Sequence, residues 1–223
     1  MPFEAKDLFA RAWTALGGAV ADLDEDDFAQ PSGCTGWLVR DLVSHLIIDA
    51  QDILITLATP VEAEPTRDAL TYWDVTATPP TGADPLDALI VRLAAAYQDP
   101  ALMQFHFDDL ATAAGRAAER VEPTLRVGTR DQVLTADDYL LAYVLESTVH
   151  HLDLIAHIDT PTAPPAETLA TSRRLLEGIA GEAFASSMTD RDVLLVGTGR
   201  RQPTGAETSE LGDLARRLPF VLG

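Results

Sequence analysis

The chain has almost no lysine, a single cysteine and no long apolar run, and each shortage removes a class of answer. Sixteen basic residues against thirty-five acids give a formal charge of −19. The basic patch that phosphate backbones need is therefore missing, which argues against a nucleic-acid partner. Lys6 is the one lysine, and every other basic residue is an arginine. Together with plentiful Ala, Asp, Gly and Pro, this usage is what a GC-rich genome tends to encode, a statement about source rather than chemistry. Cys34 has no second cysteine to pair with, so no internal disulfide defines the fold, in keeping with a reducing compartment. No apolar stretch reaches the ~18 residues of a membrane candidate, and Met1 to Asp7 carries acids where a secretory leader would be basic. The expectation is a soluble, cytoplasmic chain of 223 residues around one main core, with no membrane partner.

What is present is helical punctuation. Glu4 to Leu23 places Leu8, Ala12, Ala15, Leu16 and Ala19 at helical spacing, before an acidic patch and a Pro31-Ser32-Gly33 turn. From Trp37 to Leu57 the residues Leu38, Leu42, Leu46, Ile53 and Leu57 repeat, with Val39, Val43 and Ile47 widening the stripe. A Pro-rich connection from Thr59 to Pro80 follows. Asp84-Pro85 then supplies an N-cap and a proline at the first position of a third helix reaching about Gln98. Asp99-Pro100 repeats that signal for a fourth helix ending before Pro123.

Leu125-Arg126-Val127 and Gln132-Val133-Leu134 flank Gly128-Thr129-Arg130-Asp131 as a small hairpin, and Thr135-x-x-Asp138 resembles a capping box. The helix it opens should run to about Ile158. Pro161 and Pro164-Pro165 close it and open another, from Ala166 to Ser186. A short strand over Val193 to Val196 is expected next, with Gly197-Thr198-Gly199 as its exit, and then an amphipathic turn from Thr208 to Leu218. The fold class is mainly α with marginal β.

The helix opened at Thr135 carries its polar residues in one stripe. Tyr143, Glu146, His150, Asp153 and His157 step by three, four, three and four. Glu146 and His150 are offset by only about 40° and sit one turn apart, so carboxylate and imidazole can converge on one ion. The helix from Trp37 has a matching stripe, with His45 between Asp41 and Asp49 and Asp52 two turns on. If the two helices pack in a bundle, His45 can face the Glu146 and His150 pair.

Two readings stay open on spacing alone. Glu146 could pair with an arginine such as Arg40, and His150 could be a neutral core histidine. Against this, a buried carboxylate is costly unless compensated, and a divalent cation satisfies both its charge and a histidine lone pair. His151 points about 100° away from His150, a packing or surface position. His157 lies ~10 Å further along the axis, at best on a rim. His106, within Gln104-Phe105-His106-Phe107, reads as a surface or aromatic-cluster residue. Asp153 is either an acceptor behind a ligand or an ordinary polar residue, and Cys34 has a structural reading at the start of its helix.

Two segments carry a family resemblance. Cys34-Thr35-Gly36-Trp37-Leu38-Val39-Arg40-Asp41-Leu42-Val43-Ser44-His45-Leu46 resembles the C-P-G-W-T-V-R-D-L-V-x-H-L signature of the mycothiol-dependent maleylpyruvate isomerase family. Glu146-x-x-x-His150-x-x-Asp153-Leu154 resembles its second motif, E-x-x-x-H-x-W-D-L. Leu38 stands where the family has a helix-capping threonine, and Leu152 where it has tryptophan. The resemblance implies a DinB-like up-down four-helix bundle with additional helices and a short β appendage. Residues 1–160 would form the metal-binding bundle, and 161–223 a C-terminal helix, strand and tail packed on it. It also implies His45, Glu146 and His150 as ligands of a divalent metal, zinc first and nickel or iron also suited, with mycothiol as cosubstrate.

Three protein ligands leave a position at which a thiol would lose its proton. In an isomerase the thiolate would add to a conjugated double bond and leave again; in a transferase it would stay on the product. The partners implied are a small thiol and a small electrophile. Longer family members add an α/β domain, and the 161–223 tail resembles that of shorter members, so the reaction is not chosen. Two further readings remain: a metal-dependent hydrolase or lyase with Asp153 or Asp49 as base, and a non-catalytic metal-binding bundle. The outer face of the first helix could carry a homodimer contact.

Overall fold

The computed structural model describes residues 3–78, 81–82, 85–159 and 162–222. The apolar stripes become helices where the spacing placed them. Helix α1 (Ala5–Ala21) buries Leu8, Phe9, Ala12, Trp13, Leu16, Ala19 and Val20. Helix α2 (Val39–Leu57) buries Val39, Leu42, Val43, Leu46, Ile47, Ala50 and Ile53. After the Pro-rich connection and α3 (Pro85–Ala96), α4 (Pro100–Arg120) starts as its sequence signals. Pro100 occupies the first turn, and the Asp99 side chain accepts the Ala101 N–H at 2.9 Å. The corresponding Asp84 cap lies outside the described residues, as does Pro161.

Helix α5 (Ala136–Leu154) opens at Thr135, whose hydroxyl accepts the Asp138 N–H at 3.1 Å. It buries residues on every side, from Tyr139 and Tyr143 to Leu140, Val144, Leu145 and Val149. A helix buried on nearly every side belongs in the middle, and α5 packs on α1 along one side and on α6 (Ala166–Ala180) along another. Helix α2 packs on α4 and α3, and α4 also on α1. The result is the mainly helical bundle the resemblance implies. One hydrophobic cluster runs from Ala5 to Phe220, so the helices after α5 share the bundle's core. Helices α2 and α5 touch far less extensively than α1 and α5 do. That loosely packed seam receives the polar stripes.

The hairpin forms with a tighter turn than expected. Strands β2 (Arg126–Thr129) and β3 (Gln132–Thr135) pair from Arg126↔Thr135 to Thr129↔Gln132. Only Arg130 and Asp131 are left to turn, at φ of 45° and 61°, the doubly positive geometry of a two-residue hairpin. A second small ladder joins β1 (Val75–Thr76) to β4 (Val221–Leu222) and was not foreseen.

The C-terminal third departs most from expectation. Val193 to Val196 is not a strand but the body of α7 (Asp190–Gly197). The signal overlooked was Thr189-x-x-Asp192, where the Thr189 hydroxyl accepts the Asp192 N–H at 3.1 Å; a four-residue apolar run does not distinguish strand from buried helix. Gly197-Thr198-Gly199 is therefore a helix exit. Helix α6 stops at Ala180 rather than Ser186, because Gly181 adopts the left-handed conformation at φ 75°. Helix α5 ends at Leu154 rather than Ile158. The closing turn divides into α8 (Gly205–Leu211) and a 3-10 turn over Leu214–Arg216.

Candidate metal centre

Each helix facing the seam contributes two polar groups one turn apart. His45 and Asp49 come from α2, and Glu146 and His150 from α5. One ligand atom from each falls within 4.8 Å of the others. His150 Nε2 lies 3.0 Å from Glu146 Oε1, and His45 Nε2 lies 3.4 Å from Asp49 Oδ2 and 3.9 Å from Glu146 Oε1. Ligands about 2.1 Å from a tetrahedral zinc stand about 3.4 Å apart, so these separations bracket that edge length. The donor set, two imidazoles and two carboxylates, suits zinc, nickel or iron. The rings of His45 and His150 meet edge-on at 4.9 Å, and Trp37 packs on His45 at 5.3 Å. The His45 side chain is 23% exposed and that of His150 9%, so solvent reaches the group from the α2 side.

The carboxylates of the group pair with imidazoles, Asp49 with His45 and Glu146 with both His45 and His150. Burial pushes the Asp49 carboxyl upward. Burial pushes Glu146 the same way, but the charge and hydrogen bonds of His150 and His45 outweigh it and hold Glu146 well below the usual carboxylate range. For His150, burial opposes protonation, and the Glu146 charge with the Asp153 hydrogen bond overcomes it, leaving the imidazole well above its ordinary range. The pairing of Glu146 with Arg40 does not occur: Arg40 is exposed beside Asp41 at 3.8 Å, and Glu146 meets the two imidazoles instead.

Behind His150 lies a second, closed cluster centred on Asp153, 1% exposed. Its Oδ2 accepts from His150 Nδ1 at 3.0 Å, from the Cys34 thiol at 3.2 Å and from Arg200 Nη2 at 2.7 Å. Its Oδ1 accepts from Arg200 Nε at 2.7 Å. Arg200 and its neighbours hold Asp153 well below the usual carboxylate range despite its burial. A carboxylate saturated in this way is not available as a general base, which leaves Asp49 alone in that role for a hydrolytic reading. Burial pushes the Cys34 thiol up, aided by the Asp153 charge, so Cys34 is a donor within the network rather than a nucleophile. The loop before α2 reaches this cluster because residue 33 is glycine. Gly33 N–H donates to the Asp153 carbonyl at 2.8 Å, and a Cβ there would stand 2.5 Å from Asp153 Oδ1.

Residues 9–155 match the family model described as the mycothiol maleylpyruvate isomerase N-terminal domain. The chain belongs to that family. The mycothiol maleylpyruvate isomerase N-terminal domain thus spans α1 to α5 and both stripes of the seam, and it associates the chain with mycothiol-related function. No curated protein and no solved structure matches the chain.

The three residues proposed as ligands are brought together. Asp49, read from the sequence as a candidate base, offers its oxygen to the same group. Asp153 is the acceptor behind His150, while Asp41 caps α2 by accepting the Leu38 N–H at 2.9 Å. His151 is buried in packing, His157 is exposed, and His106 meets the Tyr97 hydroxyl. Arg200 was missed. No spacing rule links it to Asp153; the available signal was a buried carboxylate near a helix end that required a cation. Among the described residues no helix is long and apolar enough to cross a membrane.

Proposed function

We propose that this chain is a metal-dependent, mycothiol-using enzyme acting on a small electrophile as an isomerase or S-transferase. The observation that carries the reading is the convergence of His45, Asp49, Glu146 and His150 within 4.8 Å at the seam of a mycothiol maleylpyruvate isomerase family bundle. His45, Glu146 and His150 would hold the ion, zinc by preference, and the ion would supply Lewis acidity that lowers the pKa of a thiol brought to it.

The protein's own part is to gather and orient. Glu146 supplies charge that favours a cation, with both imidazoles hydrogen-bonded or ion-paired around it. Asp49 stands at the same group with a carboxyl that burial holds up, suited to take the proton a thiol releases. Trp37 packs on the His45 ring and helps hold its orientation. The test is zinc titration of the metal-stripped protein, followed by thermal shift in mycothiol with zinc present. Micromolar or tighter zinc binding, lost in His45→Ala, Glu146→Gln and His150→Ala, and a mycothiol shift that depends on zinc, are expected. Zinc binding unaffected by all three substitutions would sink the reading. Mycothiol consumption against a panel of conjugated and alkylating electrophiles then separates isomerase from transferase, since only the second uses up the thiol.

A further inference from the structure

The family match ends at residue 155, yet the cluster that holds His150 is completed from beyond it. We propose that Arg200 is a positioning residue for the metal centre: its two-pronged grip fixes the Asp153 carboxylate, which in turn fixes the His150 ring with Nε2 turned toward Glu146. The inference rests on the proposed ligand role of His150.

The geometry makes the chain of restraint one-directional. Arg200 donates from Nε to one Asp153 oxygen and from Nη2 to the other, each at 2.7 Å, a planar fork on a planar carboxylate that leaves neither free to rotate. The held Oδ2 faces His150 Nδ1 at 3.0 Å. An imidazole that keeps its hydrogen on Nδ1 presents the Nε2 lone pair on the other side of the ring, where Glu146 lies at 3.0 Å. Arg200 itself is set by the backbone around it. Gly199 reverses the chain after α7 at φ 81°, in a place where a Cβ would stand 2.8 Å from Pro219. Arg201 N–H donates to the Leu195 carbonyl at 3.0 Å. Through Arg200 the C-terminal segment reaches the support of a proposed ligand.

The test compares Arg200→Ala, Arg200→Lys and, as a control, Arg201→Ala. Arg201, on the same segment, pairs instead with Asp192 and Glu207 at 2.8 to 3.0 Å. Two readouts are taken: zinc affinity by chelator competition, and the His150 tautomer in metal-free protein by long-range nitrogen–proton correlation, recorded at a pH alkaline enough for the ring to have lost its second proton. Arg200→Ala should weaken zinc about 10- to 100-fold and give mixed tautomer signals. Arg200→Lys, which keeps charge but loses the fork, should fall between it and the parent protein. Arg201→Ala should lower the melting temperature without moving either readout. The proposal is overturned if Arg200→Ala keeps parent zinc affinity and a single tautomer, or if Arg201→Ala changes both as much as Arg200→Ala does. Should Arg200→Ala not fold, Arg200→Lys decides by the same readouts. Absence of zinc binding in the parent protein would count against the proposed function alone, because the tautomer measurement needs no metal.

Discussion

The two sides of the His150 ring are built on opposite principles. On the Nδ1 side, Asp153 faces Arg200 in a charge-balanced pair with four donors at 2.7 to 3.2 Å. On the Nε2 side, two carboxylates and a second imidazole gather at 3.0 to 3.9 Å. One side is closed by an arginine, and the other collects four groups of the kind that ligate metals. Asp49 on that side is a carboxyl that burial pushes upward, and a buried carboxylate costs stability unless compensated. Under the proposed metal role, the closed side serves as the frame and the charge-rich side as the receptor.

The most damaging way to break that contrast is on the closed side. Asp153→Ala leaves the Arg200 guanidinium without its carboxylate and should cost about 3–5 kcal/mol by urea unfolding, the usual penalty for stranding one partner of a buried pair. Glu146→Gln, on the receptor side, should cost far less in metal-free protein. Equal losses from the two would mean that both sides are structural. Next in size is the ion itself. At a hundredfold excess over its dissociation constant zinc should add about 2.7 kcal/mol to the unfolding free energy, and His45→Ala should remove that gain. A gain surviving in His45→Ala would place binding elsewhere.

His151, the immediate neighbour of His150, sharpens the comparison through pH. It is buried with no carboxylate partner, and its Nε2 has no hydrogen-bond partner among the described residues. Burial pushes its pKa down to about 4, against a weaker contribution from a Thr162 backbone hydrogen bond. The folded value lies below the unfolded one of about 6.5, so the unfolded chain binds the proton first. The resulting stability is complete above about pH 6.5 and is lost as pH falls toward 4, at up to about 1.4 kcal/mol per pH unit. His150, raised by its carboxylates, contributes with the opposite sign. The difference between the parent protein and His151→Phe, followed by urea unfolding in metal-free samples, should therefore grow with pH across 4 to 6.5. A flat difference would show that His151 is not held neutral by burial.

How far this was readable beforehand depends on the range of the signal. Apolar periodicity located α1 and α2, because each buries a stripe within a single segment, and the cap signals at Asp99-Pro100 and Thr135 located α4 and α5. The Glu146 and His150 pair was legible for the same reason, being one turn apart on one helix. His45 required two helices to pack, and the spacing of neither helix says that they do; the family motifs made that link. Arg200 and Asp153 meet across 47 positions through a loop reversal at Gly199, a contact that no periodicity encodes. The strand expected at Val193 to Val196 failed for a local reason. Four apolar residues satisfy either period, and the Thr189 cap should have decided for helix.

The smallest effect expected carries the most information about the receptor side. Asp49 is 4% exposed, and burial raises its carboxyl, with the Glu146 charge adding to the shift. An acid whose folded pKa lies above its unfolded value binds its proton more readily when folded, so at neutral pH its charge opposes folding. Asp49→Asn keeps the shape, removes that charge, and should raise metal-free stability by about 0.5–2 kcal/mol, the range typical of relieving a strained functional group. The same change deletes one oxygen donor from the four-residue group, so zinc affinity should fall. Stability and affinity thus move in opposite directions at Asp49, whereas at Arg200 both should fall together. Urea unfolding and zinc competition on the two variants measure the signs directly. If Asp49→Asn lowers both quantities, Asp49 belongs with the frame, and the boundary between receptor and frame runs through α2 instead of through the His150 ring.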